Sequence, residues 1–65
     1  MYALLRPKVA AERAGISISH LYALQAEGNF PRSVKVSERI TAFVESEVDE
    51  WIAAKIKAAR SQEVA

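Results

Sequence analysis

The chain has 65 residues, 51% of them hydrophobic, a net charge of +1 and no cysteine. One small domain with a packed core follows, spanning residues 1–65, and disulfide scaffolds and thiolate metal sites are excluded. No apolar run nears the ~20 residues that cross a bilayer, and Met1–Pro7 lacks the form of a signal peptide, so a cytoplasmic protein without a membrane role is expected.

Pro7 suits the first position of a helix, where its missing N–H would be unpaired anyway. Good helix formers follow it, and Gly15 is placed to end the segment in a left-handed conformation. A first helix is predicted over residues 7–14. Ser17 then reads as an N-cap, with Ile16 before it set to pack across the cap against Leu21. Leu21 and Leu24, three apart, share one helical face. Gly28, Asn29 and Pro31 stop the run, giving a second helix over about residues 18–27.

Val34-Lys35-Val36 alternates with period two, and Ile40-Thr41-Ala42-Phe43 is strand-like in composition. Ser37-Glu38-Arg39 must reverse the chain between them, although no glycine or asparagine eases the turn. Ser46 is the expected N-cap of a third helix, with Asp49 three positions on completing an approximate capping box. Glu47, Asp49 and Glu50 open that helix and Lys55, Lys57 and Arg60 close it, complementing its dipole. Val48, Trp51, Ile52, Ile56 and Ala59 form its apolar stripe. Residues 61–65 are expected to fray. The predicted order is helix, turn, helix, hairpin, helix.

Charge is unevenly spread. Residues 1–44 carry six cations against three anions, a net +3; residues 45–65 carry three against five, a net −2. The first two-thirds of the chain therefore suit a polyanion better than the last third does.

Two short helices joined by a glycine-containing turn are the signature of a helix-turn-helix. Ala11, four residues before Gly15, is small where the second helix must approach, and Leu21 and Leu24 pack back onto it. The leading end of the second helix then offers Ser17, Ile18, Ser19, Tyr22 and Ala23 to a groove. A plain αα-corner in a small helical domain is the alternative reading of the same pattern.

The run from Leu4 to about Arg60 resembles the AlpA-type prophage regulators, within the MerR-like and excisionase-like winged helix-turn-helix proteins. The likeness rests on Leu5-Arg6, Gly15-Ile16-Ser17, Ser19, Leu21 and Tyr22, then Glu27-Gly28-Asn29-Phe30-Pro31. It continues through Val34-Lys35-Val36, Arg39 and the run Glu45-Ser46-Glu47-Val48-Asp49-Glu50-Trp51-Ile52. The resemblance implies a mostly α, winged helix-turn-helix fold that binds double-stranded DNA in a sequence-specific way. It further implies a regulator of a prophage or integrative element that activates integrase transcription or assists excision. Ser17, Ile18, Ser19 and Tyr22 would lie on the recognition helix, and Lys35 and Arg39 on the wing. Family members commonly carry a basic residue where this chain has Ile18, a threonine where it has His20, and a basic residue near Ala23.

Residue by residue, Arg39 at the hairpin tip could grip a phosphate or enter a minor groove. Lys35 points away from Val34 and Val36 and is exposed, and Arg32 completes the basic set. Tyr22 is expected to pack its ring while giving its hydroxyl to a phosphate. Ile18 could touch a thymine methyl. His20 has no second histidine or cysteine for a metal, and adjacent Ser19 points elsewhere on a helix, so His20 reads as a surface or phosphate-side residue. Trp51 is expected in the core, its indole N–H needing a partner. No catalytic constellation is present, so neither an enzyme nor a cofactor is expected. A second protomer or a recombinase is the expected protein partner. The rival function is an adaptor that binds a recombinase or other regulator through the exposed face of the second helix.

Overall fold

A computed structural model describes residues 2–63, with side chains described for residues 2–61. Its elements run β1 (Leu4–Leu5), α1 (Pro7–Ala14), α2 (Ile18–Ala26), β2 (Val34–Ser37), β3 (Ile40–Val44) and α3 (Glu45–Glu63). The three strands form an antiparallel sheet in the order β1-β3-β2.

Both short helices stop for a local reason. Gly15 (φ 75°) and Gly28 (φ 77°) take left-handed backbone just past α1 and α2. The amides of Gly15 and Ile16 then return to the carbonyls of Glu12 and Ala11, at 3.1 and 3.0 Å. Gly28 and Asn29 do the same to Gln25 and Leu24, at 3.1 and 2.8 Å. Otherwise orphaned helix carbonyls are thereby satisfied twice over. A methyl group at Gly15 would meet nothing within 4 Å, so only backbone strain opposes it. Gly15→Ala is accordingly expected to lower stability by about 1–2 kcal/mol, read by urea unfolding. A cost near zero would mean that the turn relaxes.

The core forms where α1, α2, the start of α3 and β3 converge. Ala10, Leu21 and Val48 are fully buried, and Ala11, Phe30 and Phe43 nearly so. The two alanines remove side-chain bulk from α1, which lets α2 seat Leu21 closely against it. Phe30 meets Phe43 edge-on at 5.3 Å and Trp51 at 4.9 Å, geometries favoured by the ring quadrupoles. The Trp51 indole donates to the Asn29 carbonyl oxygen at 2.7 Å, and Lys55 Nζ lies 5.3 Å from its ring centroid. The tryptophan is half-buried at the seam between α3 and the α2–β2 connection, not sealed in the core.

The structure departs from sequence expectation in several places. β1 was not expected; it exists because β3 offers Leu4 and Leu5 an edge, pairing them with Val44 and Phe43. Ser46 does not cap α3. The helix begins one residue earlier, directly on leaving β3, and the Glu45 amide donates to the Ala3 carbonyl oxygen at 2.8 Å. A neighbouring chain segment thus does the work assigned to a serine side chain. Residues 61–63 continue α3 rather than fraying, and residues 64–65 lie outside the described residues. Only the first half of the predicted apolar stripe packs: Ile56 is 46% exposed and Ala59 is exposed. Val34 and Val36 are also exposed, because β2 stands at the edge of the sheet, clear of the core.

The hairpin solves its turn without glycine. Ser37 pairs with Ile40 across a two-residue turn, Glu38-Arg39, and no described residue other than glycine has positive φ. Such a turn does not match the natural twist of two paired strands. The mismatch is absorbed one step away. Lys35 pairs with Thr41 but Ser37 with Ile40, so Val36 is an extra residue, a bulge in β2.

Among the described residues no helix is long and apolar enough to cross a membrane, and no three His, Asp or Glu side chains gather where they could hold a metal.

Candidate nucleic-acid interface

The leading end of α2 is built by Ser17. Its extended backbone (φ −75°, ψ 159°) starts the helix, and its hydroxyl accepts from the His20 amide at 3.1 Å. Ile16 and Leu21 flank the cap and both join the core cluster. With Leu21 and Leu24 turned inward, helical spacing sends Ser19, Tyr22 and Ala23 outward, with Ile18 beside Tyr22 on the same flank. All four are exposed; Tyr22 keeps half of its surface and Ile18 42%. His20 is exposed as well, on the other flank. The α2 residues expected to face a ligand therefore share one end of one helix. Ser17 is there too, though its oxygen is already engaged in the cap.

The remaining expected residues lie on other elements. Arg39 occupies the turn at the hairpin tip, and Lys35 lies in edge strand β2; both are exposed. Arg32 is exposed in the α2–β2 connection, in a shallow groove shared with Glu47, Glu50 and Trp51. Those carboxylates belong to the first turns of α3 and make this groove less welcoming to a phosphate than the hairpin tip.

One cation of the basic two-thirds is committed internally. Arg13 donates from Nε and Nη2 to Asp49 at 2.8 and 3.2 Å, and its Nη1 lies 3.5 Å from Glu45. These hydrogen bonds, with the attraction of both carboxylates, hold the guanidinium still more firmly protonated than an ordinary arginine. The pair ties α1 to the start of α3. Among the described residues Arg6, Lys8, Arg32, Lys35 and Arg39 make no ion pair. Arg6 and Lys8, exposed at the start of α1, were not among the expected contact residues; their charge alone was the signal that could have included them.

The family model of the prophage CP4-57 regulatory protein (AlpA) matches residues 3–56. The chain belongs to this family. The match runs from the residue before β1 through the packed half of α3, and so takes in the Gly15 turn, the leading end of α2 and the whole hairpin. It ends at Ile56, one turn beyond Ile52, the last α3 residue that packs on the core. No curated protein and no solved structure shows a significant match to the chain. Membership of the AlpA family identifies a phage-related regulatory protein.

Proposed function

We propose that the chain is a sequence-specific DNA-binding regulator of a prophage or integrative element, that it activates integrase transcription or assists excision, and that it is not an enzyme. In this reading α1 and α2 are a helix-turn-helix and the β2–β3 hairpin is its wing. The leading end of α2 enters a major groove, and Arg39 reaches the adjacent backbone or minor groove. The observation that carries it is the outward set Ser19, Tyr22 and Ala23, on a helix whose other face is anchored by fully buried Leu21. Alanine and isoleucine at this surface read bases through apolar contact, and serine and tyrosine through hydroxyls.

Phosphate contacts should be few. Five cations of the basic two-thirds have no internal ion pair, so the slope of log affinity against log salt should not exceed about 4.5 in magnitude per protomer. Filter binding on a site selected from a random DNA pool, at several salt concentrations, measures it. With so few contacts, useful affinity should need two or more protomers on adjacent sites. A single tight 1:1 complex at physiological salt would overturn that expectation.

The exposed apolar surfaces of Ile18 and Tyr22 favour a second reading, an adaptor that docks these side chains on a recombinase or another regulator. Salt separates the two. DNA binding weakens steeply as salt rises, whereas an apolar interface barely responds.

A further inference from the structure

The least accounted-for surface of the molecule is the second half of α3. A 19-residue helix is about 28 Å long, and only its first two turns pack. Val48 is buried and Trp51 and Ile52 are half-buried, but every residue from Ala53 to Ser61 is exposed. The chain is accordingly elongated, 47 × 28 × 18 Å. A projecting helical stretch this short is marginal in water on its own, even when rich in alanine.

Its surface is patterned. Asp49, Ala53, Ile56 and Arg60 follow one another at spacings of four, three and four, so they share a face. Glu50 and Lys57 border the same face. Ala53, Ile56, Lys57, Arg60 and Ser61 line a shallow open depression along it. From the start of the helix toward its end, the face reads acidic, apolar, basic. Reversed, it reads basic, apolar, acidic.

We propose that this face pairs with the same face of a second copy of the chain, the two helices running antiparallel about a two-fold axis between Ala53 and Ile56. In that arrangement Ala53 of each copy receives Ile56 of the other, and the Glu50 carboxylate, which makes no ion pair among the described residues, meets Lys57 and Arg60, while Asp49 stays paired with Arg13. A parallel pair would set carboxylate against carboxylate and guanidinium against guanidinium, which disfavours it. Self-complementarity under a two-fold is what an isologous interface requires. The apolar centre is small, one isoleucine and one alanine from each copy, so the association is weak and reversible. It does not depend on what α2 binds.

Sedimentation equilibrium of the full chain without DNA tests it. The wild type should show a monomer–dimer equilibrium that weakens several-fold between low and high salt. Arg60→Glu should weaken dimerisation at least tenfold, and adding Glu50→Arg to it should restore part of the loss, because the reversed pair meets across the interface at the expense of the Lys57 contact. Ile56→Lys should abolish the dimer; circular dichroism shows whether that variant still folds, and the charge pair stands without it. A wild type that remains monomeric at millimolar concentration would overturn the proposal. So would unlimited assembly, or an Arg60→Glu variant that dimerises like the wild type.

Discussion

Phe43→Ala should leave much of the population unfolded under conditions where the wild type is folded. The ring is 1% exposed, meets Phe30 edge-on at 5.3 Å, and projects from the central strand of the sheet. Truncating a buried phenylalanine to alanine costs about 3–5 kcal/mol, through lost transfer energy and the cavity left behind. A chain of this length commands only about 3–10 kcal/mol in total. The surroundings are poorly placed to collapse into the gap, because β3 is held by partners on both sides. Urea titration followed by circular dichroism, with Trp51 fluorescence as a second probe, should show the midpoint falling at unchanged slope or the transition vanishing. A loss below about 1 kcal/mol would mean that this ring does not hold the core together.

Arg39→Glu should weaken binding to a selected DNA site by roughly a hundredfold, about 2.7 kcal/mol, while leaving stability almost unchanged. The side chain is exposed at the hairpin tip and makes no ion pair among the described residues, so the fold loses little. At a duplex, however, the change removes one attraction and installs one repulsion. Arg39→Ala should cost less and reduce the magnitude of the salt slope by about 1. If both variants bind as the wild type does, the hairpin is not a wing in the functional sense. The adaptor reading would then gain, because it needs no charge at that tip.

What could be read in the sequence was what is decided locally. Pro7, Gly15, Ser17 and Gly28 each act on their immediate neighbours, and the boundaries of α1 and α2 followed from them to within a residue. β1 was illegible because two leucines become a strand only when β3 lies alongside. The start of α3 misled for the same reason: its first amide is met by Ala3, more than forty positions away. The apolar stripe of α3 packs only through Val48, Trp51 and Ile52, because periodicity marks a face of a helix without telling where along it the body of the fold ends. At the site, helical spacing located the outward residues of α2. The commitment of Arg13 to Asp49 could not be foreseen, since each is an ordinary surface residue until α1 and α3 are docked.

The junction between β3 and α3 has a mechanical consequence. Val44 ends the strand and Glu45 begins the helix, with no residue between them to act as a hinge. The hairpin tip and the projecting helix are therefore two arms of one continuous stretch of chain, with the exposed Arg13–Asp49 pair tying the start of the helix to α1. With no linker to take up the change, a tilt of one arm is passed toward the other. Two chains side by side on a surface could thus align or misalign their arms according to spacing alone, without either chain changing shape.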